Sequence, residues 1–144
     1  MNDSEARQVL EETSTIAVVG LSAKPERPSN SIARYLLMQG YKVIPVNPML
    51  DEVLGLKSFP DLRSIPEPVD LVDIFRRSDH VPPIVEQAVE IGAKAVWMQT
   101  GVMNAEAAGR AEAAGLFVVM NRCIMVEHQR LGIAPIAQAA RYEE

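Results

Sequence analysis

Short apolar runs alternate with amphipathic stretches along most of the chain. Each run is four or five residues long and apolar at nearly every position, as expected for strands buried on both faces of a sheet. Strands are predicted at Ile16–Val19, Lys42–Val46, Leu71–Phe75, Ala95–Met98 and Phe117–Met120.

Helical periodicity fills most of the segments between these strands. Gly40, Gly92 and Gly115 each follow an amphipathic segment and are typical C-terminal caps. Ser78 and Asp79 are candidate N-terminal caps for the helix that carries two prolines in its first turn. Helices are predicted at Met1–Thr13, Ser31–Gln39, Val81–Ile91 and Asn104–Ala114.

Two segments depart from this alternation. Leu50–Pro68 has prolines at positions 60, 66 and 68, so at most a short helix is expected there. The tail Leu131–Glu144 contains Gly132 and Pro135, and three arrangements stay open for it. It forms a docked short helix, a dimer contact or a loose end.

The alternation of strands and helices predicts an α/β fold. Right-handed crossovers would give a Rossmann-like, doubly wound, mainly parallel sheet of about five strands with helices on both faces. No internal repeat, low-complexity tract or linker interrupts the 144 residues, so a single domain over residues 1–144 is expected. Ligands of such sheets bind outside the carboxyl ends of the strands, which directs attention to the loops there.

Composition narrows the classes of function. A net charge of −5 argues against a protein that binds nucleic acid by general electrostatic attraction, although it leaves room for a local cationic pocket. Cys123 is the only cysteine, so no internal disulfide forms and a reducing compartment is expected. No apolar run has the length of a membrane span, and the acidic N-terminal segment is unlike a signal peptide. A cytoplasmic protein that binds neither nucleic acid nor membranes is therefore expected.

The loop after the first strand is the most informative. Gly20 stands where a dinucleotide-binding fingerprint begins, but the later glycines of that fingerprint are missing. Lys24 and Arg27 supply positive charge instead, and Ser22 and Ser29 supply hydroxyl groups. The following helix points free N–H groups at the same place, so the loop predicts an anion site. The alternative is an ordinary turn with solvated cations.

The loops after the second and third strands add further candidates. Asn47 could bond a ribose or an adenine edge, or Asn47 and Pro48 could simply end the strand and start a turn. Arg76 is placed to bind phosphate or stack on adenine, and Phe75 either packs on a ring or belongs to the core. Arg77 either joins Arg76, pairs with Asp79 or is exposed to solvent.

The last loops are polar but carry no recognisable catalytic arrangement. Thr100 and Gly101 could present backbone N–H groups to a ligand opposite the first loop, or form an ordinary turn. Cys123, His80 and His128 belong to no metal-binding or nucleophile motif, and the chain has no Walker loop. The sequence therefore supports a binding site better than a catalytic one.

Several ordered motifs resemble a known family. The segments VVGLSAKPERPS, VIPVNP, PVDLVDIFRR, GAKAVWMQTGV and MNRCIMVEH, spread between Ile16 and His128, resemble the stand-alone CoA-binding domain proteins. Those are small bacterial relatives of the N-terminal domain of the succinyl-CoA synthetase α subunit. The resemblance implies a Rossmann-like fold that holds the nucleotide half of coenzyme A at the carboxyl ends of the strands.

The resemblance also implies roles for individual residues. Gly20, Ser22, Lys24 and Arg27 would receive the phosphates of coenzyme A. The adenosine would lie beside Asn47 and Pro48, and the cofactor would be flanked on its other side by Phe75 and Arg76. Ser29, Thr100 and Gly101, which lie in the loops at the carboxyl ends of the strands, complete the predicted binding site.

Three functions follow, in order of preference. The first is a module that binds CoA or an acyl-CoA without catalysis of its own, alone or as a homo-oligomer. The second is an NAD(P)-binding oxidoreductase, which the incomplete glycine fingerprint disfavours. The third is a subunit that supplies the CoA site of a multi-chain acyl-CoA ligase to a larger partner. The phosphorylated histidine of the synthetase lies in a domain that this chain does not match, so neither His80 nor His128 inherits that role.

Overall fold

A five-stranded parallel sheet forms the centre of the computed structural model, which describes residues 2–136. The spatial order of its strands is β2-β1-β5-β6-β7. Chain order reverses between β1 and β5, so their carboxyl ends flank the switch point of the sheet. The seven strands of the described residues are β1 (Thr15–Val19), β2 (Lys42–Val46), β3 (Glu52–Val53), β4 (Leu56–Lys57), β5 (Leu71–Ile74), β6 (Ala95–Met98) and β7 (Phe117–Met120).

Helices cover both faces of this sheet. The first, second and fifth helices bury their apolar sides on one face, and the third and fourth bury theirs on the other. The predicted Rossmann-like α/β fold is therefore confirmed. The helices are α1 (Asp3–Glu12), α2 (Pro28–Met38), α3 (Val81–Glu90), α4 (Ala105–Ala113) and α5 (Ile124–Arg130).

Two helix starts differ from the prediction. Helix α2 begins at Pro28 rather than at Ser31, because proline fits a first turn in which no N–H partner is required. Neither Ser78 nor Asp79 caps α3. A turn of 3₁₀ helix at Ser78–His80 leads into that helix, and its N-cap residue His80 makes no side-chain capping bond.

The segment Leu50–Pro68 contains a hairpin and no helix, so the expected short helix was wrong. Strands β3 and β4 are joined by Leu54 and Gly55, whose φ angles are 56° and 73°. Positive φ at both central residues is the geometry of a type I′ turn, which matches the twist of paired strands. The usual Asn-Gly signal is absent because leucine occupies the first of the two positions.

The chain after α5 packs against the face that carries α2. Leu131 and Ile133 are buried, and the Ile136 N–H donates to the Gln39 carbonyl at 2.8 Å. The predicted tail extends to residue 144, and its last eight residues lie outside the described part. No helix within residues 2–136 is long and apolar enough to cross a membrane.

Candidate ligand-binding site

A crevice of about 760 Å³ opens at the carboxyl ends of β1, β5 and β6, beside the switch point of the sheet. The N-terminus of α2 forms one wall, and the loop after β6 forms another. The structure thus brings together most of the loop residues that the sequence singled out. Those that line the crevice are Gly20, Ser22, Lys24, Arg27, Ser29, Phe75, Arg76, Thr100 and Gly101.

The first loop is held in shape by its own hydrogen bonds. The Ser22 N–H donates to Ser29 Oγ at 3.0 Å, and the Lys24 N–H donates to Ser22 Oγ at 3.1 Å. The side chain of Asn30 donates to the Ser22 carbonyl at 2.8 Å. Both serine hydroxyls therefore fix the loop as acceptors, and each keeps a proton that it can donate to an anion.

Gly20 is required by the close approach of two strand ends. Its φ is +87°, and a Cβ added there would lie 2.7 Å from the Phe75 carbonyl oxygen and 3.0 Å from Arg76 Cδ. Any side chain would push the loop after β5 away from the loop after β1. Gly20 thus sets the width of the crevice at the switch point.

Replacing Gly20 with alanine is expected to lower the free energy of unfolding by about 1–3 kcal/mol, because the new Cβ meets backbone at a positive φ. The measurement is urea denaturation at neutral pH. Gly109→Ala in α4 is the matched control, since nothing lies within 4 Å of a Cβ there. The control should gain about 0.5–1 kcal/mol from better helix propensity. Equal behaviour of the two variants would contradict the close approach.

Positive charge in the crevice is not neutralised by any residue that the structure describes. Within residues 2–136, Lys24, Arg27 and Arg76 form no salt bridge, and no aspartate or glutamate lines the crevice. Arg77, by contrast, pairs with Asp79 at 3.2 Å, as one reading of the sequence anticipated. Three free cations in a chain of net charge −5 indicate a site for a multiply charged anion.

Two predicted residues lie outside the crevice. Asn47 donates its side-chain N–H to the Leu21 carbonyl at 3.0 Å and accepts from the Met49 N–H at 2.9 Å. Its amide therefore stabilises the turn after β2, which was the alternative to ligand binding. Pro48 lines a neighbouring groove of about 200 Å³, and Arg76 borders both that groove and the crevice.

The loop after β6 presents fewer free donors than the sequence suggested. The Gly101 N–H already donates to Asn121 Oδ1 at 2.7 Å. Gly101 therefore lines the crevice without offering its N–H to a ligand, which corrects that part of the prediction. Asn121 thus holds the backbone of this loop in place. It has a φ of 62°, a left-handed conformation that asparagine tolerates better than most residues.

A buried polar pair beneath the crevice was missed from the sequence. Asp73 lies within β5 and is fully buried, and its Oδ1 accepts from Gln99 Nε2 at 2.6 Å. Burial raises the pKa of Asp73 to about 7, and the hydrogen bond from Gln99 opposes that shift. The available signal was a carboxylate within an otherwise apolar strand.

Both histidines lie away from the crevice. His80 borders the neighbouring groove, whereas His128 is buried and its Nδ1 lies 2.7 Å from the Tyr35 hydroxyl. Burial lowers the pKa of His128. No group of three or more potential metal-ligating side chains occurs in the described part of the chain. Cys123 does line the crevice, half-buried at the start of α5.

Comparison with known families agrees with this geometry. The model of a family described as CoA binding domain matches residues 14–129, which include the crevice residues from every loop. The chain belongs to the CoA-binding domain family. This CoA-binding domain is 40% identical over 125 residues to the protein YneT of Bacillus subtilis, with 87% of this chain and 93% of that protein covered.

A solved structure and a curated enzyme extend the comparison. A hypothetical protein from Pyrococcus horikoshii OT3 superimposes with a TM-score of 0.88 at 46% identity, covering 91% of this CoA-binding domain and 92% of that chain. The ADP-forming acetate–CoA ligase II of Archaeoglobus fulgidus is 33% identical over 82 residues. That match covers 56% of this chain but only 12% of the ligase, so most of the ligase has no counterpart here.

Proposed function

We propose that the chain binds coenzyme A or an acyl-CoA in the crevice, through the nucleotide part of the ligand. The observation that carries this proposal is a set of three cations, Lys24, Arg27 and Arg76, which have no ion-pair partner and no carboxylate beside them in the crevice among residues 2–136. Coenzyme A bears a pyrophosphate and a separate ribose phosphate. Three cations suit that charge distribution better than a glycine-rich loop, which grips a pyrophosphate alone.

The remaining groups of the crevice fit the same ligand. The positive end of the α2 dipole adds to the field of the cations, and the Ser22 and Ser29 hydroxyls can donate to phosphate oxygens. Phe75 and Ile32 supply apolar surface against which a ring or the pantetheine arm could pack. Arg76, between the crevice and the neighbouring groove, can reach a ligand in either.

The proposal includes no catalysis by the chain itself. Among the described residues, neither a carboxylate nor a histidine lines the crevice, so none of them supplies a general base beside Cys123 or a bound thioester. The crevice residues instead bind, orient and neutralise an anion. We therefore expect the chain to hold or present the cofactor.

The test is isothermal titration of the nucleotide-stripped protein with CoA, and with NADPH in a parallel run. We expect saturable CoA binding and no response to NADPH. Binding of NADPH alone would overturn the proposal in favour of an oxidoreductase. Binding of neither ligand would leave the cations without their proposed role and would equally overturn it.

A second candidate function is the CoA-binding subunit of a multi-chain ligase. The match to 12% of the acetate–CoA ligase supports it, because the rest of such an enzyme would then come from another chain. This candidate expects the native protein to co-purify, at fixed stoichiometry, with a larger partner, and the complex to form acyl-CoA from a carboxylic acid and CoA while it cleaves ATP to ADP and phosphate. A homogeneous assembly of this chain alone would exclude it.

A further inference from the structure

The floor of the crevice contains a polar pair that phosphate binding does not use. Asp73 is fully buried, and its register neighbours in the sheet are Val18 and Trp97. Its Oδ1 accepts from Gln99 Nε2, whereas no described group donates to its Oδ2. A buried carboxylate in such surroundings destabilises the fold, and an apolar residue at the same position would destabilise it less. The pair therefore calls for an explanation beyond folding.

Gln99 connects this carboxylate to the crevice. It follows β6, is only 4% exposed, and lines the crevice floor. Because Nε2 is committed to Asp73, Oε1 is the polar atom that remains for a ligand, and no side chain or backbone group within residues 2–136 donates to it. The crevice is otherwise rich in cations and hydroxyl donors, so Oε1 stands out as an acceptor.

We propose that Gln99 Oε1 accepts a hydrogen bond from the bound ligand, and that Asp73 is the positioning residue that fixes the amide for this role. The inference rests on the proposed function and names a specificity-determining contact within it. The group recognised is an N–H or O–H donor, which coenzyme A carries on its adenine, on its ribose and on its pantetheine arm. A ligand with an acceptor at that point would be rejected.

The protonation state of Asp73 decides which end of the amide faces the crevice. An ionised carboxylate only accepts hydrogen bonds, so it holds Nε2 and turns Oε1 towards the ligand. A protonated carboxyl can donate to Oε1, and the amide can then invert and present Nε2 instead. Ligand affinity should therefore fall as Asp73 gains a proton.

The surroundings of Asp73 place this change near neutral pH. Burial raises the pKa of Asp73 to about 7, and no charged side chain contributes to that shift. Val18 and Trp97 flank the carboxyl within the sheet. The helices and loops over that face contribute apolar side chains together with the titratable groups Tyr35, Tyr41 and His128. The titratable side chains that face the crevice above the pair are Lys24, Arg27, Arg76, Arg77 and Cys123.

The first experiment measures the affinity for dephospho-CoA between pH 6 and pH 8.5. This probe lacks the ribose phosphate, whose own titration near pH 6 would otherwise confuse the profile. We expect wild type to bind about two- to tenfold more weakly at the low end, the effect of one neutral hydrogen bond. Asp73→Asn should show a flat profile and bind like wild type at low pH. Retention of the wild-type profile in Asp73→Asn would overturn the positioning role.

The second experiment removes the acceptor. Gln99→Met should bind dephospho-CoA about two- to tenfold more weakly at pH 8.5, whereas Gln8→Met on the exposed side of α1 should not change affinity. Since Gln99→Met leaves Asp73 without a partner, Asp73→Leu/Gln99→Met replaces both groups by apolar ones and guards against a folding defect. Wild-type affinity in either Gln99 variant would overturn the contact.

Two comparisons separate the remaining outcomes. Adenosine 3′,5′-bisphosphate carries the adenine and the ribose but no pantetheine, so loss of its affinity in Gln99→Met assigns the donor to the adenosine part of the ligand. Loss with dephospho-CoA alone assigns the donor to the pantetheine arm. If wild type binds no CoA at all, the proposed function itself fails. If wild type binds CoA and the Gln99 variants bind equally well, only this inference fails.

Discussion

Asp73→Asn is expected to become more stable relative to wild type as the pH rises from 4.5 to about 7, and the difference should then level off. Asp73 is fully buried in β5, and burial raises its pKa to about 7. In the unfolded chain the same carboxyl would titrate near 4. Between these two values the folded protein holds a proton that the unfolded chain has released.

Linkage fixes the sign and the size of the effect. Stability falls with pH wherever the folded state binds more protons than the unfolded state, so wild type loses stability from about pH 4 until Asp73 is ionised near pH 7. The full loss is roughly 4 kcal/mol, from about 1.4 kcal/mol for each pKa unit between the two states. Asparagine does not ionise, and Asp73→Asn lacks this loss.

The measurement is the free energy of unfolding in urea at several pH values for both proteins. The quantity to compare is how the difference between the two free energies of unfolding changes with pH. An amide at position 73 that lacks a hydrogen-bond partner changes this difference by the same amount at every pH. Asp51→Asn, at an exposed position, controls for the removal of one carboxylate. A difference that stays constant with pH would show that Asp73 is already ionised in the folded protein at low pH.

The strands of the central sheet were predictable because most of them are buried on both faces, although β7 is only half-buried. Continuous apolar runs such as Ala95–Met98 have few other interpretations when helical segments alternate with them. The hairpin of β3 and β4 escaped prediction for the opposite reason. It contains only two residues per strand, and its turn places Leu54 at a positive φ without the asparagine that usually marks such turns.

The position of the site was predictable, but the direction of individual side chains was not. Carboxyl ends of parallel strands meet at one edge, so the first loop and the loops after β5 and β6 had to converge. Asn47 lies at the same edge, yet its amide bonds two backbone groups near its own turn. Such local hydrogen bonds compete with ligand binding, and they cannot be predicted from the spacing of residues in the sequence.

The contact between Asp73 and Gln99 beneath the crevice depends on the register between β5 and β6. Asp73 and Gln99 are 26 residues apart in the sequence, with Asp73 inside one predicted strand and Gln99 directly after the next one. Asp73 lies opposite Trp97 across β5 and β6, and Gln99 is two residues further on, so its side chain leaves the same face of the sheet. Only the observed pairing of the two strands brings the amide onto the carboxylate.

The largest loss of ligand affinity is expected for Lys24→Ala/Arg27→Ala. Each cation that makes a charge-assisted bond to phosphate contributes about 1.5–3 kcal/mol, so the pair should weaken CoA by roughly 3–6 kcal/mol. Folding should be nearly unaffected, because both side chains are exposed and form no salt bridge within the described residues. The measurement is isothermal titration with CoA, with Lys94→Ala as the control. Lys94 is exposed beside Asp70, at the amino ends of the strands, so its loss should not change CoA affinity.

Dephospho-CoA then assigns each cation to a phosphate. A single variant that loses affinity for CoA but not for dephospho-CoA serves the ribose phosphate, and one that loses affinity for both serves the pyrophosphate. Arg76→Ala belongs in the same series, because Arg76 lies at the switch point against Gly20 and borders the neighbouring groove as well. We expect at least one of the three cations to discriminate between the ligands, since a crevice that bound only a pyrophosphate would need fewer charges. Unchanged CoA affinity in all three single variants would mean that the cations of the crevice are merely solvated. The proposed location of the CoA site would then be wrong.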